Sequence, residues 1–503
     1  MSGVLIAVLL PAVAALVMVV VRDIITDRVA ARLGLAVSLL SALALVLAWL
    51  NRGDKAYAGE VDVLWVRSLG MHWHLGMDGI SFPLLLMTSL LTALVCWALT
   101  DDPPAGENST PALVALVMVV LAAALGVFAA LDLLLFFVFF ELALIPMWFV
   151  IARWGDPHDP RGRRRAATRF LVFTVAGSAF MLVGFVTVAA SAGTLQIPEL
   201  AARDVPLAGG WALFAACAIA VGLAVKTPVW PLHIWLPDAH ASAPTVGSVL
   251  LAAVFLKLGT YGLLRVLASV LPDPTATLAP WLAILGVIGI VYAALACLRQ
   301  DDLKRLIAYS SVGHMGFVVL AVATMSEIGV AAAVFASVAH GVITGLLFFN
   351  AGALKRRFGS AELSVIGRGL YARTPALAVV LAFAAIASLG LPGLAGFWGE
   401  MMALRGTYDA ATSSGGVLAA GLAGTLLVVA LVGVLLTSAY VLRVLRTTMQ
   451  GVPTPSPDDL DLSGSERGIA TVLVVGVLLL GLAPGLLVGI IEPSIPAILG
   501  GAP

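Results

Sequence analysis

The feature that most limits what this chain can fold into is a succession of apolar runs about 20 residues long, separated by short polar breaks. Runs of that length match the hydrocarbon core of a bilayer crossed by an α-helix, whereas a spanning strand needs only about 10 residues of alternating polarity. The chain of 503 residues is 61% hydrophobic and only 11% charged, and its mean hydropathy is +1.07. Soluble domains run at about 45–50% apolar and 25% charged, so a water-soluble fold is excluded. The expected class is an all-α integral membrane protein.

The polar breaks predict fourteen helices, near 2–21, 29–50, 78–99, 111–127, 129–152, 168–191, 210–230, 241–267, 279–298, 303–323, 327–353, 374–402, 416–447 and 468–490. The first run has no basic lead-in and no A-x-A site, which reads as a retained helix. Most of the 28 Lys and Arg fall on alternate loops and helix ends, including Arg161, Arg163, Arg164, Arg165, Lys355, Arg356 and Arg357. The bias toward basic inner loops predicts both termini on the outer face. Because topology accounts for these basic runs, they do not call for a nucleic-acid partner.

Four ionisable residues stand alone inside apolar runs: Glu141, Lys226, Lys257 and Glu400. Each would cost about 2.5–3.5 kcal/mol on insertion scales if it faced lipid, so they are expected to face one another or water inside the bundle. A membrane anchor has no use for such groups. His314 and His340 also fall within spans. Either hydrogen-bonding to a neighbouring helix or proton relay accounts for them, and the near-neutral titration of imidazole suits relay. Asp132 and Lys304 lie near helix ends, where capping or snorkelling is the expected role. Cys96, Cys217 and Cys297 have no CxxC spacing, and no phosphate-binding glycine motif occurs, so no metal, cluster or nucleotide site is expected in this chain.

Two runs carry helix breakers beside an ionisable residue. GLAVKTPVWPLHIWLP places Pro228 and Pro231 just after Lys226, and ASLGLPGLAGFWGE places Pro392 and two glycines before Glu400. Backbone freed at membrane depth survives only against protein or cavity water, so each break marks an internal polar site. The breaks lie five helices apart, and an odd offset reverses direction across the membrane. This predicts an inverted repeat with one half-channel in 111–268 (helices 4–8) and another in 279–448 (helices 9–13). Helices 1–3 in 1–110 and helix 14 in 449–503 flank them.

The stretch VKTPVWPLHIWLPDAHASAPTVGSVLLAAVFLKLGTYGLLR at 225–265 resembles the proton-translocating antiporter-like subunits of respiratory complex I and of multi-subunit cation/proton antiporters. MDGIS at 77–81, FFELALIPM at 139–147, LKRLIAYSSVGHMG at 303–316 and LPGLAGFWGE at 391–400 share the resemblance. It implies Glu141 and Lys226 as the ion pair of the first half-channel, Lys257 as central relay, His314 and His340 as intermediate positions, and Glu400 as terminal group. Most members carry lysine on the second broken helix, whereas Glu400 points to the subunit M branch of NADH:quinone oxidoreductase. The resemblance further implies a bacterial cell membrane and neighbouring membrane subunits, with a lateral helix contributed by one of them. FMN, iron–sulfur clusters and quinone are then expected in partner subunits and no cofactor here. A Na⁺/H⁺ antiporter subunit and a membrane-bound hydrogenase subunit are the alternatives.

Overall fold

The computed structural model describes residues 2–103, 109–202, 210–413, 415–452 and 461–500. Its helices, in chain order, begin with α1 (Gly3–Val21) and α2 (Asp27–Leu50), followed by strands β1 (Ala58–Val66) and β2 (Met71–Met77). Then come α3 (Phe82–Asp101), α4 (Thr110–Ala129), α5 (Leu133–Leu142), α6 (Leu144–Trp154), α7 (Pro160–Ala192), the short α8 (Ile197–Ala201) and α9 (Gly210–Lys226). The middle of the chain forms α10 (Leu236–Ser242), α11 (Thr245–Leu250), α12 (Leu256–Gly262), α13 (Pro272–Arg299), α14 (Leu303–Ala323) and α15 (Glu327–Phe358). The rest is α16 (Leu363–Ile366), α17 (Leu370–Arg373), α18 (Pro375–Ser388), α19 (Ala395–Thr412), α20 (Ala420–Met449), α21 (Gly464–Leu482) and α22 (Pro484–Ile491).

Among the described residues, 12 helices are long and apolar enough to cross a membrane. The seventh and twelfth expected spans are the interrupted ones: α9 stops at Lys226, and α18 stops at Ser388 before α19 resumes at Ala395. Burial orders the bundle. The Thr245–Ala268 span is 100% buried and Glu327–Phe358 89% buried, against 28–33% for α1, α2, α20 and α21. The two innermost helices therefore carry Lys257 and His340, and the apolar perimeter helices meet the bilayer.

Local chemistry sets the helix limits. Asp132, Asp159, Asp302 and Ser326 accept backbone N–H groups at the starts of α5, α7, α14 and α15, and Gly193 and Gly359 end α7 and α15 in the left-handed conformation. Asp132 is thus the helix cap expected of it. Lys304 is different: it is 2% exposed, with its Nζ donating to the Ala243 carbonyl at 2.7 Å. Of the two expected roles the structure shows capping and not snorkelling: Ala243 is the C-cap of α10, and its carbonyl, inside the bundle, draws the ammonium inward.

The connection before α3 adds an element that the apolar runs do not reveal. β1 and β2 pair antiparallel, with Ala58 opposite Met77 and Leu64 opposite His72. The hairpin rests on the α4–α5 connection, where the Leu131 N–H donates to the His74 carbonyl at 2.9 Å, and on the α7–α8 connection, where the His74 Nδ1 meets Gln196 at 2.5 Å. It lies at the opposite end of the bundle from Arg356, which pairs with Asp102 at the end of α3.

Candidate functional site: a buried line of titratable side chains

Lys257 sits on α12 between two π-helical stretches, Leu251–Phe255 and Leu263–Ala268. Wider turns of this kind release carbonyls from the regular ladder and are frequent at functional sites. The Lys257 Nζ, fully buried, donates to the carbonyl of Ala252 at 2.6 Å. It also lies 2.6 Å from the His340 Nδ1 on α15. Only one proton fits between an amine and an imidazole nitrogen at that distance, so ammonium with neutral imidazole and amine with imidazolium are alternative states of one pair.

From His340 the line continues in contact. Its ring lies 5.6 Å from the ring of His314, inclined at 62°. The His314 Nδ1 hydrogen-bonds the Glu400 Oε1 at 2.9 Å and its Nε2 the Ser388 Oγ at 2.9 Å. A cavity of about 20 Å³ lies among His314, His340, Thr344, Ser388 and Glu400, large enough for one water molecule. The break between α18 and α19 creates this place. Gly390 adopts φ +80°, and a Cβ there would approach the Glu400 Oε2 to 3.1 Å, so glycine serves both the turn and the carboxylate's room. The Trp398 indole donates to the Gly481 carbonyl at 2.7 Å and fixes the start of α19.

The first half is arranged differently. Lys226 is the last residue of α9; its Nζ stands 4.6 Å from the Phe140 ring centre and 4.7 Å from that of Phe255, with no hydrogen-bond partner. Two such aromatic faces are worth about 2 kcal/mol or more each when desolvated. Glu141 interacts electrostatically with Lys226, but no ion pair within 4.0 Å joins them, and its Oε1 is unpartnered. The expected contact pair is open in this structure, with Phe140 as the neighbour of the ammonium. Gly259 lets the break come close: a Cβ there would lie 2.4 Å from the Thr227 Oγ1. The Trp235 indole donates to the freed Val225 carbonyl at 3.0 Å.

The structure therefore brings Lys257, His340, His314 and Glu400 into one connected line, and sets Glu141 and Lys226 beside it through Phe255, two residues before Lys257. The sequence reading missed His240, buried on α10 with both ring nitrogens unpartnered. Its signal was position, since PDAHAS follows the second proline of the broken segment. Also missed was the fully buried pair of Arg265 and Asp78. There the Arg265 Nε donates to the Tyr261 hydroxyl at 3.1 Å, and the Asp78 Oδ1 accepts the N–H groups of Ile80 and Ser81 at 3.1 Å. Residues 257, 261 and 265 recur at helical spacing on one face, which is the pattern that betrays it.

Comparison with known proteins shows the family to which these helices belong. A family model described as NADH:quinone oxidoreductase/Mrp antiporter, transmembrane, matches residues 130–439. NADH-quinone oxidoreductase subunit M of Rhodobacter capsulatus is 36% identical over 473 residues, covering 90% of this chain and 86% of the relative. NAD(P)H-quinone oxidoreductase chain 4 of a Synechococcus species is 40% identical over 435 residues, covering 84% of this chain and 78% of the relative. A chain of respiratory complex I from Thermus thermophilus superposes with a TM-score of 0.85 at 29% identity, covering 98% of this chain and 99% of that one. A chain of the Mrp complex from a Dietzia species shares the fold alone, with a TM-score of 0.85 at 20% identity. The matched helices are those that hold the buried line, and the chain belongs to the transmembrane family of NADH:quinone oxidoreductase and Mrp antiporter subunits.

Proposed function

We propose that this chain is subunit M of an NADH:quinone oxidoreductase and moves protons across the membrane while partner subunits oxidise NADH and reduce quinone. The observation that carries this reading is the succession of neighbouring titratable groups from Lys257 through His340 and His314 to Glu400. Every member of that line can hold and release a proton; hydrogen bonds join Lys257 to His340 and His314 to Glu400, and a cavity large enough for one water lies between the two histidines. A simple packing function leaves such a line unexplained, because buried polar groups at membrane depth are costly.

In this reading, residues 111–268 and 279–448 are two half-channels related by an inverted repeat, and Lys257 joins them. Lys226 switches between Glu141 and the aromatic faces of Phe140 and Phe255. When Lys226 swings toward Glu141, its charge moves away from the Lys257 neighbourhood, and when it returns, repulsion drives the Lys257 proton toward His340. Protonated His340 passes its proton to His314 through the small cavity, and Glu400 receives it. Both termini lie on the outer face of a bacterial cell membrane. The redox groups, FMN, iron–sulfur clusters and quinone, are held by other subunits, and a partner's lateral helix braces this one.

Glu400, where most family members carry lysine, favours subunit M over an antiporter subunit. Gentle solubilisation and purification through a tag on this chain tests the assignment. Co-purification of flavin- and iron–sulfur-containing partners with NADH-driven proton uptake by vesicles is the expected result. A set of small membrane partners without redox centres, exchanging Na⁺ for protons, overturns it in favour of the antiporter.

A further inference from the structure

A cavity of about 900 Å³ opens at the Arg-rich end of the bundle, bordered by Asp156, Lys355, Arg356, Arg357 and Glu466. Its charged walls are largely paired: Lys355 with Asp156 at 2.5 Å, and Arg357 with Glu466 at 2.6 Å. Lys304 and Ala243 also line it. The Lys304 ammonium is thus a buried cation with one side on a polar vestibule and the other on the C-terminal cap of α10, bonded to the Ala243 carbonyl.

Three residues before Ala243 lies His240. Its ring is fully buried and stacked on Phe348, with centroids 4.6 Å apart and planes at 8°. Neither ring nitrogen has a hydrogen-bond partner. Leaving a buried polar atom unpaired costs about 1–3 kcal/mol, and such atoms in a folded protein call for a reason. The charges acting on the ring are those of Lys304 and Lys257. His240 is therefore within electrostatic reach of both the vestibule cation and the head of the buried line.

We infer that Lys304 and His240 are proton-relay residues that load Lys257 from the vestibule, an inference that rests on the proton-translocating reading above. The ammonium of Lys304 gives one proton to a His240 ring nitrogen and regains one from vestibule water. The His240 imidazolium then gives that proton to the neutral amine of Lys257, so each group returns to its starting state. A structural alternative has Lys304 merely capping α10. That task needs a positive donor but no release of a proton.

The experiment uses the whole complex in sealed vesicles, in a Cys217→Ser background, because Cys217 is exposed while Cys96 and Cys297 are buried. Lys304→Arg keeps charge and donor but does not deprotonate. Lys304→Cys supplies neither until treated with 2-aminoethyl methanethiosulfonate, which installs a lysine-like amine. The expected result is a loss of NADH-driven proton uptake of about tenfold or more in both variants, the scale of a missing acid–base group. Electron transfer from NADH to an artificial acceptor stays at the parent level, and treatment restores pumping in Lys304→Cys alone. Parent-level pumping by Lys304→Arg overturns the inference in favour of the cap. Failure of the reagent to modify Cys at 304 also overturns it, since the vestibule then does not reach that position. Lys257→Met is the reference: if it too pumps normally, the proton-translocating reading itself fails, and if it alone stops pumping, only the loading route falls.

Discussion

The Nζ of Lys257 lies 2.6 Å from the Nδ1 of His340, joining two helices that are 83 positions apart along the chain at this contact. Two basic groups at that separation share one proton, and the state of each dictates the state of the other. In the proposed mechanism, this pair is where the two half-channels communicate.

Lys257→Arg is expected to abolish most NADH-driven proton uptake with the complex still assembled. A guanidinium keeps the charge but does not give up its proton to His340. Fluorescence quenching of a pH-gradient dye in vesicles measures this, and uptake at the parent level removes Lys257 from the relay.

Glu141→Ala removes the carboxylate toward which Lys226 moves in the proposed switch, while alanine keeps α5 helical. Pumping is expected to fall about tenfold or more, the scale of a lost acid–base partner. Phe140→Leu separates the two faces of the switch, because it deletes the aromatic ring 4.6 Å from the Nζ without touching the carboxylate. It is expected to slow turnover severalfold while leaving the proton-to-electron ratio unchanged. A normal rate in both variants means that the aromatic cage and Glu141 are structural.

Gly390→Ala introduces a Cβ at a positive φ against the Glu400 carboxylate. The backbone strain is about 1–3 kcal/mol, and the Glu400–His314 hydrogen bond is displaced. The variant should resemble Glu400→Gln in pumping, with a lowered midpoint of thermal unfolding that Glu400→Gln does not share. Differential scanning of the purified complex separates the two effects.

Arg265 and Asp78 form a buried ion pair outside the proton line. Removing one partner of such a pair costs about 3–5 kcal/mol, because the other charge is left uncompensated. Arg265→Met and Asp78→Leu are each expected to reduce the amount of assembled subunit, and the double variant to recover much of it. Immunoblots of blue native gels report assembly directly, and equal loss in all three would deny the coupling.

Asp461 caps α18 from 85 residues away, its carboxylate accepting the N–H groups of Ala376 and Leu377 at 3.0 Å. Its slight burial opposes ionisation, but the N–H groups of Ala376, Leu377 and Leu462 outweigh it and hold the carboxyl below its usual range. A lowered folded-state value means that the stabilisation is complete above the unfolded value of about 3.9 and is lost as pH falls through the folded value. Asp461→Ala should therefore destabilise by about 1 kcal/mol near neutrality, with the gap from the parent closing in strong acid. A gap independent of pH down to that range contradicts the capping account.

Much of this molecule was legible in its sequence because a bilayer restricts structure severely. Twenty-residue apolar runs have one use in such a solvent, and prolines beside Lys226 and Glu400 mark broken backbone wherever the chain goes. The β1–β2 hairpin was not legible, since it is short, lies outside the apolar runs and is held by distant partners such as His74 with Gln196. For Lys304 the sequence left capping and snorkelling open, because its position near a helix end says nothing about what packs over that end.

The sequence by itself determined that the chain is helical, crosses the membrane many times and places Glu141, Lys226, Lys257, His314, His340 and Glu400 within its spans. Those outcomes follow from local hydropathy and from the cost of exposing charge to lipid. Only the tertiary structure decided which of these groups touch. It joined Lys257 to His340 and His314 to Glu400, set the Lys226 ammonium against Phe140 and Phe255 rather than in contact with Glu141, and drew Lys304 inward beneath the vestibule. Contacts between helices depend on rotation, rotamer and crossing geometry, which involve residues scores of positions apart, and no local pattern encodes them.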